Sequence, residues 1–391
     1  MQIRPRIYVM LTTSDFDRSI FETVTGYFAE NAPEMEVDLE LAFPEPEMLQ
    51  NARGIITRVL NPTDAKLMRA YGVPVVNISG FMANPGLPSV IIDYALSARL
   101  VADHLLARRF HSFGFYGQLK TNPALLQSQH FEQTIHSAGF PCELHFQTWP
   151  SHAYAVDPAD QLNLREWVKN LPKPAGIFCG GDRYAWELSK ACVALDLTVG
   201  KDVGIVGFGN EEFFCKTRHP QLSSVATSPD RVALEAATML LRLINGEALP
   251  AELVRLPAPV IARASSDQFV TDDPHVAMAL KFIQDHISQP LSIQAVVDHV
   301  PLSRDSLERR FRKHLDYTIM ETIHLLKIDH IKHLLISTSK TMEEIARACG
   351  LSGGPYMTTL FREKVGMTPS EYRSSFHGGG SACAPSPSVK A

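Results

Sequence analysis

Nowhere does the chain hold the run of about twenty apolar residues that a membrane helix needs. The N-terminus, MQIRPRIYVMLTTSDFD, has an apolar stretch only from Ile7 to Leu11, with Asp15 and Asp17 close behind. That is too short for the core of a secretory signal, so a cytoplasmic protein with no membrane partner is expected. Cysteine is sparse: Cys142, Cys179, Cys192, Cys215, Cys349 and Cys383 form no CxxC pair and no metal-ligand spacing with a histidine. Reduced, mostly buried thiols follow, and neither a disulfide framework nor a bound metal is expected. A basic excess is also missing. The 37 Lys and Arg are outnumbered by 42 Asp and Glu, for a net charge of -5. Averaged over the whole chain, that argues against a nucleic-acid partner.

What is present is a folded composition, 45% hydrophobic and 20% charged, over 391 residues. This length suggests two or three domains. Up to about residue 263, short apolar runs alternate with amphipathic segments. Ile7–Leu11, Gly54–Thr57, Val73–Ile78, Ser89–Ile92, Phe113–Tyr116, Gly176–Cys179 and Val203–Phe208 read as strands. Ile20–Glu30, Ala65–Ala70, Ala95–Ala107, Gln127–Ala138, Leu162–Asn170, Tyr184–Leu195 and Pro229–Ile244 read as helices. Such β-α alternation implies parallel sheets covered by helices, here α/β in two lobes with a cleft between them.

The pattern changes after Arg263. Residues 264–273 (ASSDQFVTDD) are polar and read as a linker. Residues 274–377 show helical periodicity alone. Residues 378–391 (GGSACAPSPSVKA and the glycine before it) have almost nothing to bury and read as a disordered tail. Residues 274–377 carry 13 Lys and Arg against 11 Asp and Glu, so the negative balance sits in the first part of the chain. Arg304, Arg309, Arg310, Arg312 and Lys313 cluster within ten positions.

Two segments of this C-terminal part resemble each other, 291–315 and 340–366. Ile293, Val296 and Val297 correspond to Met342, Ile345 and Ala346, and Leu302 to Leu351. Each reads as a short helix, a tight turn and a second helix, a helix-turn-helix pattern. Between them Ile319–Ile336 reads as one long helix. Two units on one rigid helix could set two recognition helices in successive major grooves of double-stranded DNA, about 34 Å apart. Arg304, Arg309, Arg312 and Lys313 would serve phosphates or guanine edges. The bland alternative is a small helical oligomerisation domain with solvated charges. Tandem units and a basic second helix weigh against it.

FREKVGMTPSEYR, residues 361–373, matches the end signature of the AraC/XylS regulators, which this segment resembles over about 100 residues. The resemblance implies DNA binding through both units. Base contacts would fall on Asp305, Glu308 and Arg309 in the first, with Arg304 near the backbone, and on Gly354, Pro355, Thr358 and Thr359 in the second. Two departures stand out. Pro301 occupies a turn where that family commonly has glycine, and Gly353-Gly354-Pro355 opens the second recognition helix without a long polar side chain. Most base readout is therefore expected from the first unit, with Arg362 and Lys364 of the second on phosphates.

In the first part, GIFCGGDRYAWEL (176–188), VGIVGFGNEEF (203–213) and QLSSVATSPDRVALEAATMLLRLINGE (221–247) succeed one another. This order resembles the LacI/GalR regulators and the periplasmic sugar-binding proteins, two Rossmann-like lobes that close on a ligand. No GxGxxG follows a strand, so no dinucleotide cofactor is expected. Sugar recognition needs planar polar groups and aromatic faces just past strand ends. The candidates are Asp15, Phe16, Asp17 and Arg18 after the first strand, with Tyr116, Asp182, Arg183, Asn210 and Glu211. Phe16, Tyr116 and Trp186 could stack on a ring, and Asp93 fits a helix cap. Where the family usually has sugar-contacting aspartate and arginine, this chain has Gly209 and His130.

A LacI-like sensor followed by an AraC-like reader resembles the family of bacterial xylose operon regulators. That resemblance implies a homodimeric activator answering to D-xylose or a related pentose, with RNA polymerase as a further partner. Ala95–Ala107 is one candidate dimer face. A competing reading is an enzyme acting on a sugar or sugar phosphate, with a helical appendage. It would need a nucleophile–base set or a metal cluster, and the sequence offers neither. A regulator that has lost its ligand response is the third reading.

Overall fold

The computed structural model describes residues 4–11, 15–43, 49, 51–118, 121–147, 158–249 and 253–377. Residues 378–391, with Cys383, and the side chain of Asp15 lie outside the described residues.

The first lobe is built from β1 (Arg6–Met10), α1 (Asp15–Asn31), β2 (Glu36–Glu40), β3 (Ala52–Thr57), α2 (Pro62–Ala70), β4 (Val75–Asn77) and β5 (Ser89–Ile92). The chain then crosses into the second lobe. There it forms α3 (Tyr94–Ala107), β6 (Ser112–Gln118), α4 (Asn122–Ser137), β7 (Cys142–Gln147), α5 (Pro158–Asn170), β8 (Ala175–Cys179), α6 (Asp182–Ala194), β9 (Val203–Gly209), α7 (Glu212–Lys216) and β10 (Ser223–Ala226). It returns for α8 (Pro229–Ile244) and β11 (Leu253–Leu256) and crosses once more to β12 (Val260–Ile261).

Among the described residues the strands make two sheets, ordered β11-β5-β4-β3-β1-β2 and β12-β10-β9-β8-β6-β7. All pairings are parallel except β10 with β12. The central strands are apolar because both of their faces are covered. Ala175–Cys179 is buried throughout, as an interior parallel strand requires. The edge strands β2 and β7 carry partly exposed, polar sequences (EVDLE and CELHFQ), which is why periodicity alone passes over them. Asp93 caps α3, its carboxylate accepting from the Leu96 N–H at 2.8 Å. In α8, Val232, Ala233, Ala236, Ala237 and Leu240 form one buried stripe. It packs against α1 and the first sheet.

Residues 264–273 contain no helix or strand, yet they are not a free tether. Ser265 and Ser266 are fully buried, and the Ser265 carbonyl accepts from the Ile205 N–H at 2.8 Å. The polar residues expected to face solvent are there because hydrogen bonds hold the segment along the second sheet.

The C-terminal domain is α9 (Pro274–Asp285), α10 (Ile293–Asp298), α11 (Arg304–Leu315), α12 (Ile319–Ser337), α13 (Met342–Ala348), α14 (Gly354–Val365) and α15 (Pro369–His377). It has two cores. Ile319, Ile323 and Leu326 of α12 pack with α9, α10 and α11, while Ile328, Ile331 and Leu335 pack with α13, α14 and α15. One helix is therefore the common spine of both helix-turn-helix units. Capping boxes start α12 (Thr318 with Glu321) and α13 (Thr341 with Glu344). The two turns are solved differently. Gly350 sits at φ +59, and a Cβ there would stand 2.0 Å from the Gln289 backbone, so glycine is required. Pro301 occupies the corresponding place in the first unit, where the Leu302 N–H closes a tight turn on the Val300 carbonyl at 2.7 Å.

Candidate ligand cleft and DNA-reading face

The carboxyl ends of β9 and β10 in the second lobe, together with α1 and α8 of the first, border a cleft of about 760 Å³. Phe16 and Thr23 of α1 and Asp230, Arg231 and Leu234 of α8 form its first-lobe wall. Gly209, Asn210, Glu211 and Glu212 after β9 form the opposite wall with Arg263. His333 and Ile336 of α12 close one end, so the DNA-reading domain supplies part of the wall.

The expected ligand residues fall into different environments. Phe16 lines the cleft, with the Arg58 guanidinium over its ring at 5.0 Å. Asp17 is buried and paired with Arg58 at 2.6 Å, so its carboxylate is already engaged by the first lobe. Arg18 is exposed on α1, and Arg183 is half-buried and has a partner of its own. Asn210 borders the cleft, but its side-chain oxygen accepts from Arg263 at 2.6 Å.

Two expectations need correction. Tyr116 does not face the cleft. It is fully buried among Tyr184, His145 and Trp167, and its hydroxyl bonds to Gln147. An aromatic residue on a strand with both faces covered is core, whatever its neighbours in sequence. Asp182 is 1% exposed and accepts from the Ser224 hydroxyl at 2.5 Å and the Glu211 N–H at 2.7 Å. It braces the loop after β9. Burial pushes its pKa up to about 6, although these hydrogen bonds favour the ionised form. Gly209 stands over it at φ +126, and a Cβ there would lie 3.2 Å from the Asp182 carboxylate. An aspartate at 209 would be strained and would meet a second carboxylate.

Further residues that the sequence did not single out stand outside the cleft lining. Tyr94 stacks on Phe208, with centroids 5.6 Å apart and planes 29° apart. Asn122 of α4 donates to the Gly80 carbonyl at 2.7 Å, joining the second lobe to the loop after β4 of the first. Gln127 is 1% exposed, with neither amide atom hydrogen-bonded, and lies beside Gly180. It stands one turn before His130, and its amide is the group directed at the strand ends. The signal available was the helical phase of α4 relative to Phe131 and Ile135, both fully buried.

Beyond the cleft, the sensor grips the reader directly. Arg108, at the end of α3 and 1% exposed, bonds Asp267 at 2.5 Å and Asp329 of α12 at 2.7 Å. His104 bonds Ser266 at 2.7 Å, and burial beside Arg108 drives its pKa well below the ordinary histidine value. Arg109 donates to the Leu315 carbonyl at 2.6 Å and pairs with Asp316. α4 packs along α3 as well, and Arg99 and Asp103 of α3 are exposed.

On the reader, Arg304, Asp305, Arg309, Arg312 and Lys313 of α11 are exposed. Arg312 lies 3.6 Å from Glu321, and Arg310 is turned inward onto Asp273. Glu308 is half-buried. Its carboxylate accepts from the Ile319 N–H at 3.3 Å and so helps start α12. In α14, Arg362 and Lys364 are exposed, and the Thr358 and Thr359 hydroxyls bond back to the Gly354 and Pro355 carbonyls. Tyr356, 46% exposed, is an aromatic side chain this helix presents outward. The uncapped Gly353-Gly354 start is served by Glu343, which accepts from the Gly354 N–H at 2.8 Å.

Comparison with known proteins agrees with this build. Residues 102–266 match the periplasmic binding protein-like domain family, and residues 296–375 match a helix-turn-helix domain family. The xylose operon regulatory protein of Escherichia coli K12 is 27% identical over 387 residues, 95% of this chain and 97% of that protein. Its namesake from Haemophilus influenzae is 27% identical over 334 residues, 82% of this chain and 84% of its own length. Among solved structures, a xylose-binding transcription activator superposes with a TM-score of 0.62 at 26% identity, covering 95% of this chain and 98% of that one. A LacI family regulator from Enterococcus faecalis with bound ribose gives 0.55 at 17% identity, covers 68% of this chain and 100% of its own, and shares the sensor fold. The chain is a helix-turn-helix transcription regulator that joins a periplasmic binding protein-like sensor domain to a C-terminal helix-turn-helix domain, and it is similar over nearly its whole length to the xylose operon regulatory proteins.

Proposed function

We propose that this regulator answers to D-xylose or a related pentose held in the interlobe cleft, and reads double-stranded DNA through α11 and α14. One observation carries the coupling: α12 serves as spine of both DNA-reading units and as a wall of the cleft. Arg108 pins the middle of α12 to the second lobe, while α8 of the first lobe faces the cleft from the other side. Ligand-driven movement of one lobe against the other would change what His333 and Ile336 meet. A ligand that prefers one lobe arrangement would then bias how the reader is presented. A cytoplasmic homodimer that activates transcription through RNA polymerase completes this reading, supported by the regulator relatives.

The test is a mobility shift on DNA upstream of the neighbouring genes, with a panel of pentoses, hexoses and their acidic derivatives, paired with calorimetry. A ligand that gives saturable heat and alters the DNA complex supports the sensor. A second reading, a regulator without ligand response, is favoured by the Asn122–Gly80 bond, which links the lobes without a ligand. DNA binding with no heat from any of the panel would favour it. Turnover of a sugar would point to an enzyme instead.

A further inference from the structure

The polar groups around the cleft are unevenly committed. Among the carboxylates that line it, Glu212 pairs with Lys216. Asp230 accepts from the hydroxyls of Ser19 and Thr23, and Glu211 is engaged as well. On the donor side, Nε and Nη1 of Arg231 are buried and hydrogen-bond to nothing. Arg231 lines the cleft, as do Lys216, Arg263 and His333 of α12, and Glu235 is the carboxylate near its guanidinium. A neutral sugar hydroxyl brings a proton that needs an acceptor, whereas phosphate and carboxylate oxygens only accept. Idle guanidinium donors suit the second kind of group, and the guanidinium fork matches its geometry.

We propose that the ligand is a sugar derivative bearing an oxyanion, a phosphate ester or a carboxylate, with the anion on Arg231 of α8. This rests on the reading that the cleft is the effector site. Phe16, Gly209 and Ser228 line the same cleft and are left for the sugar body. The leaning toward an anion is encoded by Arg231 together with Gly209, which puts no carboxylate in the sugar's path.

The test is calorimetry on the full chain with D-xylose, D-xylose 5-phosphate, D-xylonate and inorganic phosphate, repeated on Arg231→Gln and Arg231→Lys. One acidic sugar should bind at least tenfold more tightly than D-xylose. Arg231→Gln should erase that advantage while leaving D-xylose within about twofold, and Arg231→Lys should restore part of it. Unchanged thermal unfolding of both variants confirms that they fold. D-xylose binding as tightly as the acidic sugars would overturn the proposal, as would an advantage that survives Arg231→Gln. So would inorganic phosphate binding as tightly as the sugar phosphate. If no member of the panel gives heat or alters the DNA complex, the sensor reading itself falls, a result distinct from D-xylose binding alone.

Discussion

Arg108 of the sensor and Asp329 of the reader are joined at 2.7 Å across the seam between the domains, with the arginine buried and also held by Asp267. An ion pair of this kind is weak support for overall stability, because desolvation offsets much of the attraction. Breaking it is another matter, since a buried charge is left without a partner. Arg108→Met should cost about 3–5 kcal/mol of stability at the seam. Differential scanning calorimetry is expected to show the reader unfolding at lower temperature than the sensor, in place of a shared transition. A single unchanged transition would count against the seam.

Lys327 is 2% exposed, and its ammonium donates to the carbonyls of Ile287, Gln289, Cys349 and Gly350. The first two lie between α9 and α10, just before the first helix-turn-helix unit, and the last two in the turn of the other. Lys327→Met should therefore loosen the angle between the units more than it unfolds either. Affinity for DNA carrying both half-sites should fall at least tenfold, about 1.4 kcal/mol. Affinity for a single half-site should change little. Titration of the two duplexes at fixed salt measures the difference.

Arg309 is exposed on α11, and Lys364 on α14. If the first reads bases and the second phosphates, their losses differ in kind. Arg309→Ala should cost about 1–3 kcal/mol on the preferred site and relax base preference there. Lys364→Ala should weaken all sequences alike and reduce the salt dependence by roughly one ion. Equal loss of specificity from both would refute this division.

Asp182 has its pKa raised from 3.8 to about 6 by burial. Between those values the folded protein holds a proton that the unfolded chain has released. Stability from this group therefore falls as pH rises through that window and levels off above about 6. Asp182→Asn also disturbs the bonds from Ser224 and Glu211, which adds an offset independent of pH. Melting temperatures of both proteins from pH 4 to 8 should show the wild type losing ground to the variant up to about pH 6. Parallel curves would mean that Asp182 titrates normally.

Much of the fold was legible because burial leaves a periodic trace. The strands at Ser89–Ile92 and Val203–Phe208 and the helices at Ala95–Ala107, Pro229–Ile244 and Ile319–Ile336 fall within the observed elements. Edge strands were not legible, since β2 and β7 have one open edge and polar side chains. The DNA-reading unit was plainer than the cleft. Its signature FREKVGMTPSEYR lies in one stretch, with Phe361 and Tyr372 packed edge to face in the core at 5.2 Å.

The cleft draws its wall from segments more than 300 residues apart, from Phe16 to Ile336. The sequence by itself determined which elements form, where the acidic sensor gives way to a locally basic reader, and that two similar units share a long helix. These follow from spacing, composition and charge within short windows. Only the tertiary structure decided which polar groups are spent and which are idle. Asp182, Asp17 and Glu308 looked available in sequence but are engaged by Ser224, Arg58 and the Ile319 N–H. Arg231 and Gln127 drew no notice in sequence, yet they hold unpartnered buried atoms. A side chain's capacity to bind depends on whether its hydrogen bonds are already satisfied, and its partners arrive from elements distant in the chain.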